Sequence, residues 1–168
     1  MERKVKKILI TGSPGSGKSS ILRCTLGRSF QSSYIVTMGI DFEKIESACG
    51  NYIMNVWDAS ERGRFGDIIR NNYYGSTDIL VVVFDVTDLD SMAYVDFVLE
   101  NAKKLCRPDT EMLLIGTKAD MPDRKVSVDQ AEVYALEHGM CFLDFSSLNS
   151  CSTTILAKLD EVVKKHDC

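Results

Sequence analysis

Five apolar runs of strand-forming residues punctuate the chain: "KILIT" at 7–11, "YIMNVWD" at 52–58, "ILVVVFD" at 79–85, "MLLIGT" at 112–117 and "MCFLDF" at 140–145. Most of them are near-continuous in Val, Ile and Leu rather than alternating, the pattern of strands covered on both faces. Between most of them lie segments of helical period, at 18–27, 66–73, 91–105, 127–138 and 152–166, several opened by a capping residue such as Asp90, Ser127 or Ser152. In the last segment Ile155, Leu156, Leu159, Val162 and Val163 form a single buried stripe. Strand and helix in alternation predict βα units around a parallel sheet. One exception is "ACGNYI", where Gly50-Asn51 separates two runs closely enough for a hairpin and so adds one antiparallel strand. The expected architecture is α/β in three layers, a six-stranded, mostly parallel sheet with helices on both faces. No repeat, low-complexity stretch or linker interrupts it, so residues 1–168 are expected to form a single domain.

Composition narrows the partners. With 45% hydrophobic residues the 168-residue chain can bury a core unaided. A net charge of −4 gives no electrostatic footprint for nucleic acid, since phosphate binding at that scale needs clustered Lys and Arg. The basic start, Arg3-Lys4 and Lys6-Lys7, is expected to be a solvated strand entrance. Six cysteines without a Cys-x-x-Cys pair favour reduced thiols, with Cys24, Cys106 and Cys141 in the core. The apolar runs are too short to span a bilayer and the N-terminus lacks a signal-peptide segment, so a cytoplasmic protein is expected unless lipid is attached.

The first strand runs directly into "GSPGSGKS", Gly12 to Ser19, and from there into the first helix. This matches G-x-x-x-x-G-K-[ST] in the strand-to-helix context that the chemistry needs. Glycines let successive N–H groups turn toward a polyphosphate, the helix N-terminus adds a favourable dipole, Lys18 neutralises β and γ oxygens, and the Ser19 hydroxyl can ligate Mg²⁺. Candidate contacts are Gly12, Ser13, Gly15, Ser16, Gly17, Lys18, Ser19 and Ser20. Pro14 removes one N–H and is tolerable only if that amide is not a phosphate donor. The loop alone suits an ATPase, a nucleotide kinase or a GTPase. "TKAD", Thr117 to Asp120, just past the 112–117 strand, resembles the guanine motif of small GTPases. An aspartate accepts from guanine N1–H and N2–H₂, whereas adenine offers no such donor pair, and sites built on such bonds discriminate by roughly 10⁴ or more.

With these motifs the chain resembles the Ras superfamily over nearly its whole length, most closely the Rab branch. "YIVTMGIDF" resembles a Rab first switch, with Thr37 eighteen residues after Ser19; "WD" at 57–58, "NNYYGSTD" at 71–78 and "FDVTDLDS" at 84–91 resemble further Rab signatures. The resemblance implies a P-loop GTPase fold binding GDP or GTP with Mg²⁺. It implies that Ser19, Thr37 and Asp58 serve the metal, that Phe30 packs on the base and that Tyr34 closes over the phosphates. Thr117, Lys118 and Asp120 would surround the base, joined by Ser146, the Ser147 amide at guanine O6, and Leu148. Phe42, Trp57 and Tyr73 correspond to aromatics that meet effectors, with a plain core role as the alternative. Effectors, an exchange factor and a GTPase-activating protein are the implied partners, a monomer the implied state, and membrane traffic the implied setting.

The departures carry as much information. Thr117 stands where Asn is commoner, and Leu148 replaces an expected Lys. After Asp58 the pattern Asp-x-x-Gly-Gln becomes "DASER", placing Glu61 and Arg62 at the Gly and Gln positions, and even an insertion that shifts Gly63 into place supplies no Gln. Weak intrinsic hydrolysis is expected, with a non-hydrolysing guanine-nucleotide scaffold as the alternative; a nucleotide kinase is disfavoured because no Arg-rich lid segment is evident. The sequence stops at "KKHDC" without a C-a-a-X box, so Cys168 is a lipid site, a truncation point or neither, truncation being preferred, and membrane attachment is expected only with lipid or a longer tail.

Overall fold

The computed structural model describes residues 3–29, 39–59, 64–150 and 152–167. In chain order they form β1 (Lys4–Gly12), α1 (Lys18–Thr25), β2 (Ile40–Glu46), β3 (Tyr52–Ala59), α2 (Arg64–Tyr73), a 3₁₀ turn (Tyr74–Ser76), β4 (Ile79–Asp85), α3 (Leu89–Leu105), β5 (Glu111–Thr117), α4 (Val128–Glu137), β6 (Cys141–Asp144) and α5 (Ser152–His166). The sheet order is β2-β3-β1-β4-β5-β6, with β2 antiparallel to β3 and every other neighbouring pair parallel. The three-layer α/β architecture expected from the hydrophobic pattern is thus the observed one.

Why β4 reads as an unbroken apolar run is plain from its surroundings, since all seven of its residues are buried. Ile79, Val81 and Val83 point into a core shared with Ile21 and Leu22 of α1 and Ile155, Leu159, Val162 and Val163 of α5. Leu80, Val82 and Phe84 point the other way, against Val95, Val98 and Leu99 of α3 and Ala131 and Ala135 of α4. Each such side chain contributes about 1.5–3 kcal/mol by leaving water, so the strand that crosses the middle of the sheet is also its firmest support. Leu156 only borders the first core.

Local signals set most boundaries. Ser127 and Gln130 form a reciprocal capping box that starts α4. At α3 the cap is Asp88, whose side chain accepts from the Asp90 amide, so Asp90 belongs to the first turn rather than to the cap. The hairpin turns over residues 48–51, closed by Ser47 N to Tyr52 O at 3.1 Å and by Tyr52 N to Ser47 Oγ at 3.0 Å.

Two expectations need correction. Lys6 is buried, not solvated: its ammonium donates to His166 Nδ1 at 2.9 Å and to the Asp167 carboxylate beyond α5. Among the thiols Cys24 is buried, whereas Cys106 and Cys141 lie half-buried at the margins of the core. Even so, burial pushes the Cys106 thiol up to about 11, well away from a reactive thiolate. No helix among the described residues is long and apolar enough to cross a membrane.

Candidate functional site

Where β1 ends, the backbone must turn inside a space too small for side chains. A Cβ on Gly12 would stand 2.1 Å from the Val83 carbonyl oxygen, and Gly12, Gly15 and Gly17 all hold positive φ, at 146°, 75° and 98°. Only glycine meets both demands at Gly12, while at Gly15, with open space around it, the left-handed backbone alone favours glycine. Gly17, left-handed at the N-cap of α1, leads straight into Lys18, whose ammonium donates to the carbonyls of Gly12 and Ser13 at 2.9 and 2.8 Å. The loop therefore closes around its own lysine, with Ser16 buried and its Oγ lacking a hydrogen-bond partner. Ser20 follows in the first turn of α1, half-buried. Pro14 is exposed at the loop's outer turn.

Asp58, near the end of β3, is fully buried, and the Ser19 hydroxyl donates to its Oδ2 at 2.5 Å. Its Oδ1 is buried without a hydrogen-bond partner. Burial raises the carboxyl above its usual pKa; the Ser19 bond and the Lys18 charge oppose that rise, and Asp41, directly opposite on β2, adds to it. A buried carboxylate oxygen left over beside a hydroxyl is a hard-oxygen set that suits Mg²⁺, which takes one or two protein ligands and completes its shell with phosphate and water. Ser19 and Asp58 therefore fit the metal.

Four strands away from β2, at the end of β5, the residues of "TKAD" converge with those after β6. Thr117 Oγ1 lies 2.5 Å from the Ser16 carbonyl oxygen and 3.0 Å from that of Phe84, tying β5 to the phosphate loop. Lys118 is the single non-glycine residue among those described with positive φ, 60°, and its ammonium meets Asp85 Oδ2 at 2.5 Å. Burial pushes the Asp85 carboxyl up, but the Lys118 and Thr87 contacts outweigh it and leave the group below its usual value. Asp120 is exposed, and its Oδ1 accepts from the buried Ser146 hydroxyl at 2.5 Å, which in turn accepts from the Asn149 amide at 3.1 Å. Such a carboxylate is oriented, with acceptor capacity to spare for two donors on one edge of a ring. Ser147 follows, half-buried, and the Leu148 side chain is exposed.

The C-terminal edge of the sheet thus gathers Gly12, Ser13, Gly15, Ser16, Gly17, Lys18, Ser19, Ser20, Asp58, Thr117, Lys118, Asp120, Ser146, Ser147 and Leu148, at the strand ends where open α/β sheets bind ligands. Phe30, Tyr34, Thr37, Glu61 and Arg62 lie outside the described residues. Phe42, Trp57 and Tyr73 form a separate row, with ring centroids 4.4 and 5.4 Å apart in succession; Phe42 is exposed and the other two are half-buried. Sequence reasoning assigned no role to Asp85 or Ser91. For Asp85 there was a usable signal, a carboxylate ending an apolar strand; Ser91 closes the "FDVTDLDS" stretch, with no local feature to set it apart there.

The chain is similar to known proteins over most of its length. The Ras family model matches residues 7–165. The chain is 31% identical to the Ras-related protein Rab-4 of Dictyostelium discoideum over 92% of its own length and 80% of that protein. It is 33% identical to the Ras-related protein SEC4 of Saccharomyces cerevisiae over 86% of this chain and 68% of that one. With human Ras-related protein Rab-4B it shares 30% identity over 92% of its length and 78% of the relative's.

Proposed function

The chain belongs to the Ras family as a Rab-like small GTPase, and from that premise we propose that residues 1–168 are one monomeric G domain, a GDP/GTP switch in membrane traffic that hydrolyses GTP slowly by itself. The observation that carries this reading is the meeting, at one sheet edge, of a glycine-bounded loop around Lys18 with an aspartate whose carboxylate is set by Ser146. Gly12 to Ser20 cradle the phosphates. Asp120 reads guanine, flanked by Thr117, Lys118, Ser146, Ser147 and Leu148, with Phe30 and Tyr34 supplied by the first switch. Ser19 and Asp58, with Thr37, hold Mg²⁺, which when bound offsets charge on the β and γ oxygens.

Slowness follows from "DASER". A glutamine side chain offers a carbonyl acceptor and amide donors and so can hold water in line with the γ-phosphate; the Arg62 guanidinium only donates. It can still stabilise charge that develops on the phosphoryl group, so the activity is slow rather than abolished. A Glu61 carboxylate about 4 Å from a phosphate charge is repelled by roughly 1 kcal/mol in water and about 4 at an effective dielectric of 20. The same two residues favour the second reading, a guanine-nucleotide scaffold that does not turn over. Effectors, an exchange factor and a GTPase-activating protein are the partners, and attachment to membranes requires a lipid or additional chain.

The nucleotide released on denaturing the purified protein tests the base: guanine is expected, and ATP bound as tightly as GDP overturns the reading. Single-turnover hydrolysis separates switch from scaffold. A rate at or below about 10⁻⁴ per second is expected, the unassisted Ras scale, while one above roughly 10⁻² per second would implicate Arg62 as catalytic. Arg62→Gln and Glu61→Gly, alone and combined, should each raise the rate.

A further inference from the structure

Building on the nucleotide-binding reading above, we propose that Ser91 is a positioning residue which, through Asp85, ties the phosphate loop to the base loop. Ser91 lies in the first turn of α3 with 2% of its surface exposed, so water does not compete for its hydroxyl. Its Oγ accepts the Asp85 amide at 2.9 Å and stands 2.7 Å from Ser13 Oγ. Once the amide occupies one lone pair, the hydroxyl retains a proton and an acceptor site, either of which serves Ser13. The Ser13 carbonyl accepts from Lys18 at 2.8 Å. The contact therefore fixes, from outside, the residue that fixes the lysine.

Asp85 extends the tie on the other side. Its Oδ1 accepts from the Thr87 amide and hydroxyl at 2.9 and 2.7 Å, and its Oδ2 from Lys118 at 2.5 Å. With both oxygens engaged, Asp85 is a fixed post rather than a ligand. Lys118 is held against it in the left-handed region at φ 60°, a conformation that disfavours side chains with a Cβ. The base loop thus bears on the Asp85 carboxylate, and the phosphate loop bears on the Asp85 amide through Ser91. Opening either loop disturbs one shared residue. Release of a nucleotide held by both is slowed by that junction.

The test is a double-mutant cycle on release of a fluorescent GDP from the full chain after chase with excess GDP. Ser13→Ala should speed release about fivefold, the scale of one hydrogen bond, and Ser91→Ala, which also strips the Asp85 amide of its acceptor, at least about fivefold. Because Ser91→Ala already removes the Ser13 contact, the double variant should release no faster than Ser91→Ala alone, rather than about fivefold faster again. A purely structural loss at Ser91 would add to that at Ser13, so additive effects overturn the proposal, as do single variants within twofold of the unaltered chain. Should Ser91→Ala fail to fold, Ser13→Ala at its half-buried loop position cuts the same contact, leaves the Asp85–Ser91 bond, and decides by its own release rate. If the unaltered chain retains no guanine nucleotide, the functional reading and the junction fall together; if it does, only the junction is at stake.

Discussion

The two ends of the sheet are built from the same kinds of residue and put them to opposite use. At the N-terminal edge, charges close on one another. Lys6 and Lys4 meet Asp167, Arg107 meets Asp78 and Asp109, and Lys165 meets Glu111. The His166 ring accepts from Lys6 and faces the carboxylates of Asp78 and Asp109 at 3.8 and 3.9 Å. At the C-terminal edge the polar groups are oriented but not used up: Asp58 keeps a buried oxygen without a partner, Ser16 a buried hydroxyl, and Lys118 a strained backbone. Buried polar groups without partners cost about 1–3 kcal/mol each. His166 Nε2 is also buried without a hydrogen-bond partner, so neither charge density nor an unpartnered atom marks a site by itself; at the C-terminal edge the unpartnered Ser16 and Asp58 oxygens adjoin the glycine-bounded loop around Lys18.

The largest effect that would sharpen this contrast is at Gly12. Gly12→Ala sets a Cβ against the Val83 carbonyl oxygen and should cost at least about 3 kcal/mol in urea unfolding, since neither backbone can yield. A loss under about 1 kcal/mol would show that the loop is loose rather than over-determined. Lys18→Ala comes next. It should weaken GDP binding by about 2 kcal/mol or more, roughly thirtyfold, measured by fluorescence titration, while nucleotide-free stability changes far less. An equal loss of stability would make this lysine a structural residue like those at the other end.

At the N-terminal edge Asp167→Asn should lower stability by about 1–2 kcal/mol and leave nucleotide affinity unaltered. The hydrogen bonds from Lys6 and then Lys4 hold the Asp167 carboxyl well below the usual carboxylate range. Its folded-state value lies below its unfolded one, so its contribution is complete above the ordinary carboxylate pKa near 4 and is lost as pH falls through the depressed value. The deficit of Asp167→Asn should accordingly be full at neutral pH and shrink in acid; a deficit that grows in acid would contradict the pairing. The smallest effect is at Lys165, whose side chain is 53% exposed beside Glu111. Lys165→Gln should shift thermal unfolding by no more than about 0.5 kcal/mol, and less still in high salt.

Much of the candidate site was legible because its chemistry is local. "GSPGSGKS" and "TKAD" are contiguous, and their glycines, lysines and aspartate announce the backbone and charge they need within a few residues. The strand and helix segments were legible for a related reason, a periodicity that any window of a dozen residues displays. The α3 cap was misplaced by two residues because Asp88 and Asp90 offer the same side chain, and only the backbone shows which stands outside the helix.

What the amino-acid order determined by itself is the list of elements and the short motifs over 12–19, 58–62 and 117–120, all of them properties of neighbours in the chain. What the tertiary structure alone decided is which distant groups share a residue. Sheet order puts β4 between β1 and β5, and so brings Ser13, Asp85, Ser91 and Lys118 together across separations of up to 105 positions. The return of α5 along the sheet carries Asp167 and His166 to Lys6, burying a lysine that its own neighbours in sequence would leave in water. Hydrogen bonds and ion pairs act over about 3 Å, and no pattern in one dimension encodes which side chains a twisted sheet will bring that close.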